Sequence, residues 1–179
     1  MILYVVRHGE TIRNKLGLIQ GQTEWDLTEK GIKDAEKLRD TVDSLDIDIV
    51  ISSPLKRARD TASIITSGKY PINIDDRIIE RDWGMCEGAH IEEVDTVKCW
   101  NFFINTDDNG IEKVQDLLAR VSEFLEDIKV KYKDKNILVV AHGGISIPIR
   151  CYFNQNIPEG SLVDAGLVLE NCQVASYDI

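Results

Sequence analysis

Residues 2–11, ILYVVRHGET, join a short apolar run rich in β-branched residues to an arginine, a histidine and a glycine. An apolar run with no polar alternation suits a strand buried on both faces, and such strands belong to parallel sheets covered by helices on each side. The sequence therefore predicts a first strand at 2–6 that delivers Arg7, His8 and Gly9 to its carboxyl end.

The rest of the chain repeats the alternation that this strand implies. Within LTEKGIKDAEKLRDTVDSL, Ile32, Ala35, Leu38, Val42 and Leu45 recur at helical spacing, with Thr28 placed to cap the helix and Glu29 in its first turn. DIDIVIS (46–52) reads as a second strand, and Ser53-Pro54 as a cap and first helical residue of a helix from 54 to about 66. Ile111, Val114, Leu117, Leu118, Val121, Phe124, Leu125 and Ile128 form a long amphipathic helix whose start is marked by Asn109-Gly110. NILVVA (136–141) reads as a third buried strand, GGISIPIRCYF as a short helix, and LVDAGLVLENCQVASYDI as a closing pair of strands turning at Glu170-Asn171. The fold class expected is α/β, a three-layer α/β/α sandwich around a mainly parallel sheet.

In such a sheet, ligands collect outside the carboxyl ends of the strands. Strand one ends at Arg7-His8-Gly9, strand two at Ser53-Pro54 with Arg57 one turn into the next helix, and strand three at His142-Gly143-Gly144. The chain has 3 histidines, and two of them directly follow buried strands. Two guanidiniums and two imidazoles beside a helix N-terminus and a glycine pair describe an anion site shaped for phosphate, because arginine binds phosphate oxygens bidentately and helix-start amides add donors. No GxxxxGK[ST] loop is present, and no aspartate stands at these strand ends to hold magnesium, since Asp46 and Asp48 precede strand two. The chemistry expected is metal-free and cofactor-free, with a side chain as nucleophile, a role histidine can fill.

Composition narrows the partners. A length of 179 residues with 43% hydrophobic content suits one domain, 1–179, and a net charge of -10 repels nucleic acid and anionic membrane surfaces. The 4 cysteines, Cys86, Cys99, Cys151 and Cys172, show no CxxC pairing, and no secretory or membrane-spanning stretch is evident, which points to a reduced, cytoplasmic protein. Oligomeric state is not readable from these features.

Four blocks carry a resemblance. RHGET followed by Asn14, then Gln20-Gly21 and LTEKG, is similar to the amino-terminal signature of the histidine phosphatase superfamily, whose fold is that of phosphoglycerate mutase. SSPLKRARDTA, IIERDWGMCEG and VVAHGG resemble its second, third and fourth blocks, in the right order and over essentially the whole length. The resemblance implies a phosphomonoesterase acting on a small phosphorylated metabolite through a phosphohistidine. It makes His8 the nucleophile and Arg7, Arg57 and His142 the phosphate pocket, with Asn14, Gln20, Gly21 and Gly143 as further substrate contacts. Glu80 in IIERDWG matches the proton donor, and Glu87 in CEG is the alternative.

Residues 83–110 should form a small cap over the pocket, carrying Trp100, Phe102 and Phe103. The cap holds one lysine, Lys98, whereas mutases of the family carry a longer insertion with extra basic residues. Three rival readings stay open: a phosphoglycerate mutase, a non-catalytic phosphate-binding module, and a zinc hydrolase using His8, His142 and His90.

Overall fold

The computed structural model describes residues 1–104 and 108–179. Its strands are β1 (Ile2–Arg7), β2 (Ile49–Ser52), β3 (Ile72–Ile74), β4 (Ile137–Ala141) and β5 (Val174–Asp178). Its helices are α1 (Ile12–Leu16), α2 (Glu29–Asp43), α3 (Lys56–Ile65), α4 (Thr96–Cys99), α5 (Val114–Lys131) and α6 (Gly143–Asn154). Among the described residues the strands form one sheet in the order β3-β2-β4-β1-β5, parallel except for β5, which runs antiparallel to β1.

The central strand explains the layering. All five residues of β4 are buried, and alternate ones enter two different cores. Ile137, Val139 and Ala141 join Leu3 and Val5 against α5 and α6, through Leu117, Phe124 and Ile145. Leu138 and Val140 join Val6 and Val50 against α2 and α3, through Ala35, Val42, Ala58 and Ala62. This is the three-layer sandwich expected of unalternated apolar strands. No described helix is long and apolar enough to cross a membrane.

Several boundaries differ from the sequence reading, each for a local reason. Helix α3 begins at Lys56 rather than Pro54, with Leu55 as the cap residue, while the Ser53 hydroxyl meets His142 and the Leu55 amide just before it. Helix α5 begins at Val114; Ile111 is buried in the same core but precedes the helix. The closing pair of strands is one strand, β5. The stretch before it gives its backbone to side chains: the carbonyls of Gly166 and Leu169 accept from Arg150 and Arg7, and the Leu169 amide donates to Ser146 Oγ. A backbone satisfied in this way has no need of a ladder. The short β3 and α1 carry too few residues to show a period. Of the expected cap at 83–110, residues 105–107 lie outside the described residues.

The exit of β1 is fixed by backbone contact with α2. The Glu10 carbonyl accepts from the Thr28 amide at 2.8 Å, while Thr28 Oγ1 caps α2 by accepting from the Gly31 amide at 3.0 Å. A Cβ on Gly31 would lie 2.2 Å from the Glu10 carbonyl oxygen, and one on Gly9 would lie 2.8 Å from the Gly31 carbonyl oxygen. Helix propensity alone gives Gly31→Ala a gain of about 1 kcal/mol. The close approach reverses the sign: a net loss of roughly 1–3 kcal/mol is expected from forced backbone movement, read as a lower urea midpoint at unchanged slope.

Candidate active site

Parallel pairing aligns Arg7 with Ala141 and Ser52 with Val140, so the three strands end within one residue of one another. The residues that follow them meet at one rim. His8 and His142 are 2% and 1% exposed, with ring centroids 5.2 Å apart and planes at 61°. Asp48 sits at the opposite rim, bound to Lys135 and the Asn136 amide, as its place before β2 requires.

His8 is held in one tautomer. Its Nδ1 lies 2.7 Å from the Gly9 carbonyl oxygen, which can only accept, so Nδ1 carries the proton and Nε2 keeps its lone pair. The Asn171 amide donates to the His8 carbonyl at 2.8 Å, and the Gly9 amide donates to Thr61 Oγ1 at 3.0 Å, fixing the backbone on both sides. His142 Nε2 lies 2.6 Å from Ser53 Oγ, and its Nδ1 is buried without a partner. Burial, followed by the charges of Arg57 and Arg7, pushes His8 well below the ordinary imidazole value. His142 is lowered in the same way, by burial first and then by Arg57, His8 and Arg7. Both rings are neutral at pH 7.

The two arginines are anchored by carbonyls, which hold a guanidinium in place without cancelling its charge. Arg7 Nη1 donates to the Leu169 carbonyl at 2.7 Å. Arg57, fully buried in the first turn of α3, donates from Nη1 to Thr23 at 2.8 Å and from Nη2 to Gly21 at 2.7 Å. The Nε atoms of both are buried with no partner. Gly21, with φ of 51°, turns its carbonyl toward Arg57, and a Cβ there would meet the Glu87 carboxylate. Burial lowers both arginines, with the carboxylate of Glu80 opposing the shift in each. Gly143 lets Arg7 approach α6: its Cβ would lie 3.1 Å from the guanidinium carbon.

A cavity of about 260 Å³ opens onto this group, lined at its polar end by Arg7, His8, Asn14, Gln20, Glu80 and Gly143. Gly21 also borders it, while Arg57 and His142 stand behind its wall. Thr11, fully buried, organises the two amides: its hydroxyl contacts Asn14 Oδ1 at 3.1 Å and Gln20 Oε1 at 2.7 Å. With their oxygens engaged, the amide nitrogens are the groups free to donate. Glu80 spans the site, accepting from the Arg81 amide at 2.8 Å on Oε1 and the Gly144 amide at 3.2 Å on Oε2. The neighbouring arginines are occupied elsewhere, Arg77 by Asp75 and Asp127, Arg81 by the Glu112 carbonyl. Glu87 is turned to loop backbone, accepting from the Gln22 amide at 2.8 Å.

Sequence reasoning therefore names the charged members of this site and misses its supports. Thr11, Ser53, Thr61 and Asn171 each fix a functional group, yet only Ser53, directly after β2, carried a positional signal. Among the described residues no three His, Cys, Asp or Glu side chains are grouped as a metal ion needs. His90, the third histidine of the zinc reading, caps a 3-10 turn at Ile91–Glu93 through contact with the Glu92 amide.

The chain matches the model of the histidine phosphatase superfamily (branch 1) over residues 3–179. The chain belongs to that superfamily. Phosphoserine phosphatase 1 of Hydrogenobacter thermophilus is 33% identical over 158 residues, covering 84% of this chain and 74% of that protein. A probable phosphoglycerate mutase GpmB of Enterobacter is 32% identical over 183 residues, 98% of this chain and 84% of that one. A mutant phosphoserine phosphatase of Entamoeba histolytica, crystallised with phosphoserine, superposes with a TM-score of 0.83 at 26% identity, covering 98% of this chain and 89% of that one.

The lowered histidines carry a stability consequence. In the unfolded chain each imidazole takes up a proton near pH 6.5, whereas in the native state it stays neutral to lower pH. Below about pH 6.5 the unfolded state therefore binds more protons and stability falls with pH, by up to about 1.4 kcal/mol per unit per histidine. Urea unfolding from pH 8 to 5 should show a flat region above 6.5 and a decline below it. His8→Ala, with one such group fewer, should decline less steeply.

Proposed function

We propose that the protein is a metal-independent phosphomonoesterase that hydrolyses a small phosphorylated substrate through a phosphohistidine on His8 Nε2. One observation carries the reading: a neutral, buried imidazole, its Nδ1–H tied to the Gly9 carbonyl, presents an unprotonated Nε2 beside two carbonyl-anchored arginines. A protonated histidine has no lone pair to give, and a solvated one would gain no electrostatic help from its neighbours.

In this mechanism Arg7 and the start of α6 at Gly143 receive phosphoryl oxygens, with the amides of Asn14 and Gln20 as further donors. Arg57 and His142, behind His8, add positive charge and a proton-bearing ring as negative charge grows at transfer. Nε2 attacks phosphorus and the P–O bond to the alcohol breaks. Glu80, in its protonated form, gives the leaving alkoxide a proton. The resulting carboxylate then takes a proton from water as that water attacks phosphorus, the N–P bond breaks, and phosphate and free His8 are restored. Residues 83–110 act as the cap of a single domain. The 4 free thiols accord with a reducing, cytoplasmic setting.

Phosphate release from p-nitrophenyl phosphate is expected to persist in excess EDTA, and activity lost to chelator and regained with zinc or magnesium contradicts the proposal. Glu80→Gln separates proton donation from structure. p-Nitrophenolate leaves without needing a proton, so the variant should lose about 10²–10⁴-fold on alkyl phosphates and far less on the aryl one. Equal losses assign Glu80 a structural role. For the mutase alternative, 3-phosphoglycerate is the discriminating substrate: glycerate and phosphate are expected, and isomerisation faster than phosphate release favours the mutase.

A further inference from the structure

Beyond its polar end the cavity is apolar. Trp83 and Trp100 form one wall, Leu18 and Ile91 a second, and Val163 and Val168, from the segment between α6 and β5, a third. The tryptophans are a preformed surface. They are 6% and 5% exposed and meet edge to face at 6.1 Å. Trp100 is further tied by its carbonyl, which accepts from the Leu162 amide at 3.0 Å. Its ring reaches the reacting end: a Cβ on Gly144 would lie 3.3 Å from the Trp100 ring and 2.2 Å from Glu80 Oε1. The alcohol part of a bound ester, joined to phosphorus between His8 and Glu80, thus emerges against an indole.

The charged side chains bordering the cavity, among the described residues, are those already used for chemistry, Arg7 and Glu80. Cations nearby are committed elsewhere: Arg120, which reaches the Glu80 carbonyl at 3.4 Å, is paired with the Glu112 carboxylate. Arg81 is fully buried behind the two indoles, 5.1 Å and 4.5 Å from their centroids, with Nε and Nη2 on the Glu112 carbonyl. Arg13 lies over Trp25 at 4.2 Å and donates to the Ile19 carbonyl. Lys98 borders a separate cavity with Cys86 and Cys99. Residues 105–107, Asn-Thr-Asp, contain no cation. At the rim, Ile91 is followed directly by two acidic residues, Glu92 and Glu93.

We infer that the substrate is the phosphate monoester of an uncharged, largely apolar alcohol, and that the site discriminates against esters bearing a carboxylate or ammonium near the phosphate. The inference rests on the phosphatase reading and adds the substrate class to it. A carboxylate placed among Trp83, Trp100, Val163 and Val168 loses its water and gains no counter-ion, and an ammonium loses its water in the same way. An alkyl or ring-bearing group loses little there and removes apolar surface from water. The volume of about 260 Å³, below the ~300–1,000 Å³ of pockets for drug-sized ligands, restricts this to a small alcohol.

The test compares four esters that all leave as alkoxides: benzyl phosphate, n-butyl phosphate, O-phosphoserine and 3-phosphoglycerate. The first two should exceed the others in kcat/KM by about tenfold or more, mainly through KM. Calorimetry with benzylphosphonate, phosphonoacetate and 2-amino-4-phosphonobutanoate, which cannot be hydrolysed, should give the same order of affinity. Ile91→Lys, at a position 50% exposed on the rim, should narrow the gap by improving 3-phosphoglycerate and phosphonoacetate. Efficient phosphate release from O-phosphoserine or 3-phosphoglycerate, equal to or above the apolar esters, overturns the substrate class and leaves the phosphatase reading standing. Absence of phosphate release from every ester, with benzylphosphonate still bound most tightly, overturns the phosphatase reading while supporting an apolar-ligand site.

Discussion

The ending of β1, β4 and β2 within one residue of one another is the constraint on which the site depends. Because Arg7 pairs with Ala141 and Ser52 with Val140, β2 ends one residue before β1 and β4, and His8, His142 and Ser53 leave the sheet within one residue of the same height and become neighbours. Slipping either pairing by one residue would turn the alternation of β4 inside out and send its side chains to the wrong cores. The same hydrophobic pattern that builds the two cores therefore sets the geometry of the imidazoles. Glycines finish the placement. Gly9 and Gly31 bring α2 against the turn after β1, and Gly143 admits Arg7 to the start of α6.

A chain of net charge -10 nevertheless concentrates buried positive charge at this rim. Arg7 and Arg57 are held by the carbonyls of Leu169, Thr23 and Gly21 rather than by salt bridges. A carbonyl fixes a guanidinium and leaves its charge available to an incoming anion, whereas a carboxylate partner would compete with such an anion. Burial and these two cations keep His8 neutral. Its unprotonated Nε2 and its cost in acid stability share that one cause. The apolar wall continues the same economy of charge: beyond its polar end, the cavity offers indoles and aliphatic chains.

Most of this architecture was legible in the sequence, and the exceptions have common causes. Long apolar runs and a sustained helical period announced β1, β4, α2 and α5, and residues at strand ends announced His8, Arg7, Arg57 and His142. Helix α1 spans 5 residues and β3 spans 3, too few for either period to register. The stretch before β5 reads as a strand because Leu162, Leu167 and Leu169 are buried, yet its polar groups are bound by Arg7, Arg150 and Ser146 from distant elements. The supports escaped for the same reason. Thr11, Thr61 and Asn171 act through bonds to groups brought near only by folding, and a lone threonine or asparagine, whether in a loop or inside α3, carries no local mark of that duty. Trp83 and Trp100 differ again: their presence in the stretch read as a cap was plain, whereas the choice of which aromatic faces the cavity depended on packing. Phe103, read beside Trp100, is 66% exposed and packs edge to face on Phe102.

The proposed chemistry depends on His8 standing neutral with its proton on Nδ1. Nitrogen NMR of the chain carrying ¹⁵N-labelled histidine reads this directly, with His8→Ala assigning the signal. At pH 6, where a free imidazole is largely protonated, the account predicts one protonated and one unprotonated nitrogen for His8, with the proton on Nδ1. Two protonated nitrogens at that pH, or a neutral ring with its proton on Nε2, would contradict it.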